Sequence, residues 1–227
     1  MTSFTQLNIG CLSRNRYWGE ENGHAYPGAR CSSVLLESEG KLILVDPGVG
    51  YNEMKILLDE RCGKKIEEID GVFFTHLHGD HRVDALKYEH TPLYANALEI
   101  QELRLSGEEK ELIRRLQPAD EIPFTGIKPV LLPGHTKGCT GLSFESRYGR
   151  ALVAGDSVMT EDFFVQETGY FNSWDFEVTA ETIQAIKREY RLIIPGHDIF
   201  FINDSMQNLK GDPVYDRGQE PYEKIRR

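Results

Sequence analysis

Six consecutive residues, His76-Leu77-His78-Gly79-Asp80-His81, hold the densest cluster of metal-ligand side chains in the chain. Neutral imidazole and carboxylate are preferred donors for zinc and also suit manganese and iron. The cluster directly follows Gly71-Val72-Phe73-Phe74-Thr75, a short apolar, aromatic and β-branched run that reads as a buried strand. Side chains alternate faces along a strand, so His76 and His78 leave its end on one side, able to share one cation. Gly79 lets the chain turn, and Asp80 and His81 then face a neighbouring position where a second cation could sit. A polar loop whose histidines only satisfy local hydrogen bonds is the plainer account. It would serve for one His, but not for three and an Asp packed so closely.

The same device recurs. Val130-Leu131-Leu132-Pro133-Gly134 leads to His135, and Leu192-Ile193-Ile194-Pro195-Gly196 leads to His197. Between them, Ala151-Leu152-Val153-Ala154-Gly155 ends in Asp156. Each is a buried strand, then a small residue or turn, then a ligand at the strand's C-terminal end, where open α/β sheets build their sites.

The ordered set His76, His78, Asp80, His81, His135, Asp156 and His197 resembles that of the metallo-β-lactamase superfamily, over roughly Ser32 to His197. The resemblance implies an α/β fold, a four-layer αββα sandwich of two mixed β-sheets flanked by helices. It implies that His76, His78 and His135 hold one divalent ion, and Asp80, His81 and His197 a second. Asp156 would bridge, because one carboxylate offers two oxygens. Zinc is the expected metal, with manganese or iron as alternatives. A hydroxide between two such ions is a strong nucleophile near neutral pH, and the ions also polarise the scissile bond. Asp80 is then the candidate catalytic residue, accepting a proton from the nucleophile and later delivering it. Metal-bound imidazoles usually donate their other N–H to a neighbouring acceptor; Asp46, in Asp46-Pro47-Gly48 at a strand end, is the first candidate and Thr136 a weaker one.

The elements that must position these residues can be read from pattern. A short strand is expected over 6–9, then a loop over 10–30 without periodicity. Residues 33–37 and 41–45 read as a hairpin about Glu39-Gly40. An amphipathic helix over 51–61 stops near Gly63. A helix starts over 82–86, a strand covers 92–95, and helices cover 97–103 and 108–116. Strands over 142–145 and 150–154 pair about Tyr148-Gly149. A helix over 178–190 carries Thr179 as its cap, with Ile183 and Ile186 inward. Residues 1–203 form the hydrolase domain, and 204–227 a polar tail.

Bulk composition narrows the partners. With 227 residues, 40% hydrophobic and 27% charged, the chain suits one soluble domain. A net charge of −10 disfavours a nucleic-acid backbone. No apolar run approaches the roughly 20 residues of a membrane span. Cys11, Cys31, Cys62 and Cys139 are scattered without a CxxC pair, so they read as free thiols in a cytoplasmic protein. Cys139 could lie near the metals without being catalytic, His90 reads as a solvent histidine, and His24 sits in the early loop. Homo-oligomerisation is left open.

The partner expected is a small molecule. Phe163, Phe164, Tyr170, Phe171 and Trp174 in one loop, with Tyr17, Trp18 and Tyr26 in another, could wall a pocket. Arg14, Arg16, Arg30 or Lys137 could anchor an anionic group. The first hypothesis is a dinuclear hydrolase of a small ester, thioester, lactone or phosphodiester. Among the resembling enzymes, the quorum-quenching lactonases use a tyrosine where this chain has Met159. The alternatives are a mononuclear iron oxidoreductase of persulfide-dioxygenase type and a metal-dependent RNA or DNA nuclease.

Overall fold

The computed structural model describes residues 1–18, 28–107, 109–120 and 122–203. His24, Tyr26 and the polar tail expected over 204–227 lie outside them. In chain order the elements are β1 (Ser3–Asn8), β2 (Ser33–Ser38), β3 (Lys41–Val45), α1 (Tyr51–Cys62), β4 (Gly71–Phe73) and β5 (Leu93–Ala95). Then come α2 (Ala97–Ser106), α3 (Lys110–Arg115), β6 (Leu116–Pro118), β7 (Ile127–Leu131), β8 (Thr140–Ser146) and β9 (Gly149–Gly155). The described chain closes with α4 (Glu161–Val165), α5 (Phe176–Glu189), β10 (Leu192–Pro195) and β11 (Phe201–Ile202).

Two mixed sheets result. The first runs β1-β2-β3-β4-β5-β6 and the second β11-β10-β9-β8-β7. β3, β4, β5 and β6 are mutually parallel, and so are β9 and β10. Period-two alternation sorts the apolar residues into layers. Ile43 and Val45 of β3 face Ala151 and Val153 of β9 across the space between the sheets. Leu42 and Leu44 point the other way, onto Met54 and Leu58 of α1. On the far side, Leu152 and Ala154 meet Ile183 and Ile186 of α5. Helix, sheet, sheet and helix therefore stack as the four-layer αββα sandwich, held by three apolar seams.

Several boundaries differ from the sequence reading. The 82–86 helix is only a 3-10 turn over Ala85–Lys87, because Asp84 takes a left-handed φ of 53°. The helix at 178 begins two residues earlier: its cap is Asp175, whose carboxylate accepts from the N–H groups of Glu177 and Val178 at 2.9 and 3.0 Å. Thr179 is not the cap; its hydroxyl donates to the Asp175 carbonyl at 2.6 Å. β6, α4 and β11 carry no strong local pattern and were not expected. Among the described residues no helix is long and apolar enough to cross a membrane.

Candidate metal centre

Parallel pairing brings the ends of β3 and β4 together in one sheet and of β9 and β10 in the other, so four chain segments leave the sandwich beside one another. The turn after β4 carries His76, His78, Asp80 and His81; His135 follows β7, Asp156 follows β9, and His197 follows β10. All seven expected residues meet there. They form two groups, His76, His78, His135 and Asp156, and Asp80, His81 and His197, each with ligand atoms within 4.8 Å of one another.

In the first group, His78 Nδ1 lies 3.0 Å from both His76 Nε2 and His135 Nε2. Asp156 Oδ2 completes it, 3.3 Å from His135 Nε2 and 3.8 Å from His76 Nε2. In the second group, Asp156 Oδ1 lies 3.1 Å from His81 Nε2 and 3.2 Å from His197 Nε2. Asp80 Oδ2 lies 3.6 Å from His197 Nε2 and 4.0 Å from His81 Nε2. Register makes room for the shared carboxylate. Pro195 pairs with Gly155, so Gly196 sits against Asp156, and a Cβ there would stand 2.0 Å from Asp156 Oδ1. Only glycine leaves that space.

In the second group the far side of each ring fixes its tautomer. His81 Nδ1 faces Asp46 Oδ2 at 3.0 Å, and His197 Nδ1 faces the carbonyl oxygens of Cys11 and Arg30 at 3.1 and 3.0 Å. These partners only accept, so each Nδ1 carries a hydrogen and donates it. Each Nε2 can then offer a lone pair inward. His81 Nε2 and Asp156 Oδ1 are both buried, and neither makes an aligned hydrogen bond within the protein. Two such buried, unsatisfied ligand atoms 3.1 Å apart are what a cation would satisfy. The donor set, nitrogen-rich in the first group and oxygen-containing in both, fits a pair of divalent ions.

Electrostatics divide the histidines. Burial, reinforced by positive neighbours, holds His76 well below the ordinary imidazole value, and burial brings His135 down to about 4. His78 is lowered for the same reason. Burial also opposes charge on His81, yet Cys31, Asp156 and Asp46 outweigh it and raise that imidazole. Asp156 is held far below the usual carboxylate range: His197, His81 and His135 overcome its burial. The first group is thus supplied with neutral imidazoles, the protonation state that ligates.

Asp46 receives the place expected of it, accepting from His81 and also from Thr75 N and Oγ1 at 2.8 and 2.7 Å. Thr136 does not: its buried hydroxyl has no hydrogen-bond partner. The two carbonyls behind His197 were not foreseen, since a backbone oxygen leaves no residue-type signal. Cys139 is buried and its sulfur accepts from Ser157 Oγ at 3.1 Å; burial pushes the thiol well up. His90 is exposed.

Around the centre, Phe163 and Tyr170 pack with Leu12, Met159 and Tyr17 in a small separate core. Phe164 belongs instead to the core beneath α5. Phe171 and Trp174 remain 72% and 53% exposed, and Trp174 N donates to the His135 carbonyl at 2.9 Å. Lys137 Nζ lies 5.6 Å over the Trp174 ring and 3.3 Å from Glu102. Arg16 stacks on Tyr17 and Phe163, while Arg30 pairs with Glu53 at 3.6 Å. The Arg14 carbonyl accepts from the Tyr170 hydroxyl at 2.8 Å. Of the four basic candidates, Lys137 stands nearest a ligand in sequence, two residues from His135.

A family model described as the metallo-β-lactamase superfamily matches residues 26–197. The chain belongs to that superfamily. A probable metallo-hydrolase of Methanocaldococcus jannaschii is 29% identical over 204 residues, 78% of this chain and 90% of its own. An N-acyl homoserine lactonase of Bacillus cereus is 25% identical over 173 residues, 71% of this chain and 68% of its own. A crystal structure from B. thuringiensis, with N-decanoyl-L-homoserine bound at its active site, shares the fold with a TM-score of 0.66. That likeness covers 87% of this chain and 93% of the other at 23% identity. This superfamily member is accordingly a metal-dependent hydrolase with a His/Asp site of the two-metal type.

Proposed function

We propose that this superfamily member hydrolyses a small ester, thioester, lactone or phosphodiester, and that residues 1–203 are its catalytic unit. In this reading His76, His78, His135 and Asp156 hold one divalent cation, and Asp80, His81, His197 and Asp156 hold another, with zinc first and manganese or iron as other candidates. The division of Asp156 carries the reading: Oδ2 serves the first group and Oδ1 the second. When bound, two such cations lower the pKa of a water they share and polarise the oxygen of the scissile bond.

The chain's own residues do the rest. Asp80 is 24% exposed while Asp156 is 5% exposed, so Asp80 is the carboxylate that an arriving substrate meets. It accepts the proton of the attacking water and returns it to the leaving oxygen. Asp46 keeps His81 in its ligating tautomer, and the Cys11 and Arg30 carbonyls do so for His197. The Trp174 backbone is bonded to that of His135, and Lys137 lies over the Trp174 ring, so an apolar face and an ammonium accompany the His135 loop.

The named relatives support the lactone and carboxylic-ester branch, since one is called an N-acyl homoserine lactonase. Met159 argues for a different proton route: it is buried in the small core with Phe163 and Tyr170 and has no hydroxyl to offer. Leaving-group protonation then falls to Asp80. The net charge of −10 supports a small substrate over nucleic acid. All four cysteines are free, which suits a reducing compartment such as the cytoplasm.

The test is elemental analysis of protein purified without added metal, with hydrolase assays on the same sample. About two zinc or manganese ions per chain, with turnover of lactones or esters, is the expected result. A single iron, with oxygen consumed alongside a sulfur substrate, would transfer the reading to an oxidoreductase. Failure to take up any metal on reconstitution would end it.

A further inference from the structure

We propose that Glu99 is the positioning residue of the first cation site, fixing from behind the two loops that deliver its three histidines. The inference rests on the two-cation reading above. Glu99 lies in the first turn of α2 and is only 5% exposed. Its Oε2 accepts from Leu77 N at 3.0 Å, and its Oε1 accepts from Gly138 N at 3.1 Å. Leu77 is the residue between His76 and His78, and Gly138 is three residues beyond His135. One carboxylate therefore joins segments that lie 22 and 39 residues from it in sequence.

The surroundings hold the clasp rigid. Asn96 caps α2 by accepting from Leu98 N at 2.9 Å, and its Nδ2 donates to Thr140 Oγ1 at 3.0 Å. Thr140 N in turn donates to the Thr75 carbonyl at 2.8 Å, just ahead of His76. The loop abuts the helix so closely that a Cβ on Gly138 would stand 2.8 Å from Glu99 Oε1 and 2.9 Å from Glu99 N.

A carboxylate is costly in such a place unless its oxygens are bonded. A side chain that merely filled the space would be apolar. Glutamate instead supplies two acceptors for two backbone donors, and a fixed negative charge near His78 that favours a cation. Asp46 is its counterpart at the second group, touching His81 directly, whereas Glu99 acts through backbone. Each cation site thus has its own buried carboxylate behind it.

The experiment uses the full chain, stripped of metal and titrated with cobalt(II). Binding is followed by visible absorption and by the shifted imidazole N–H signals, which separate the three-histidine site from the two-histidine site. Glu99→Gln keeps the shape but turns an NH2 toward one of the two N–H donors. It is expected to weaken the first site about 10- to 100-fold and leave the second unchanged, with Asp46→Asn doing the reverse. Gly138→Ala, which presses its loop away from Glu99 while leaving the carboxylate intact, is expected to act in the same direction as Glu99→Gln. Unaltered affinity, equal weakening of both sites, or loss of the folded state in both variants would overturn the assignment. A wild-type chain that binds no cobalt would instead overturn the two-cation reading beneath it.

Discussion

Asp46 Oδ2 lies 3.0 Å from His81 Nδ1, while the Asp46 backbone holds a left-handed φ of 49° at the end of β3. The conformation turns the carboxylate back over the end of β4, where it also takes both donors of Thr75. Asp and Asn tolerate this region better than other side chains. Asp46→Asn should therefore keep the backbone conformation while it removes the charge and turns an NH2 toward a donor of Thr75 or His81. The expected result is about 10- to 100-fold weaker metal binding at the second group, measured by competition with a chelator. A variant with unchanged affinity would show that Asp46 serves only the Thr75 turn.

Asp80 separates binding from catalysis. Asp80→Asn keeps an oxygen able to ligate but removes the proton acceptor. We expect kcat to fall about 10²- to 10⁴-fold while metal content changes little. Parallel losses of metal and kcat would reduce Asp80 to a ligand.

Asp84 links the motif loop to the helix before it. Its Oδ2 accepts from Tyr51 N at 2.9 Å, supplying the cap that Gly50 cannot give α1, and Lys87 Nζ lies 2.9 Å from the same oxygen. The Tyr51 N–H, then Lys87, hold this carboxyl below its ordinary value. A carboxyl with a depressed folded pKa contributes stability that is present above its unfolded pKa and is lost as pH falls through the folded value. Asp84→Ala should cost about 1 kcal/mol near pH 7, and the gap to wild type should narrow, by the charge-dependent part of the cap, as pH falls below about 4. Denaturant unfolding across that range measures it. Asp84→Asn should recover most of the loss, since an amide oxygen also caps.

The first cation group illustrates what was legible in the residues. Period two predicts that His76 and His78 share a side of a strand running to Thr75, but β4 ends at Phe73 and both histidines fall in the bend after it, so the bend rather than the pleat brings them together. His135, Asp156 and His197 stood out because each follows an apolar run and a small residue, which is the local signature of a buried strand meeting a turn. The hairpin of β2 and β3 and helix α1 were readable on the same local grounds, by alternation and by the Gly63 stop.

Other features have no local signature. β6 is only Leu116–Pro118 and includes a proline; it is a strand because β5 offers it an edge. α5 begins at Phe176 since Asp175, not Thr179, presents an oxygen to the free N–H groups of its first turn. The acceptors behind His197 are main-chain oxygens of Cys11 and Arg30, groups that every residue possesses.

The chain by itself determined which residues could ligate and which strands would end beside them, because residue type and periodicity are local properties. Only the tertiary structure decided that Asp156 turns one oxygen to each group and that Glu99 reaches both Leu77 and Gly138. Those relations depend on register between β9 and β10 and on how α2 docks against the first sheet. Both are set by packing between segments distant in sequence, which no single stretch encodes.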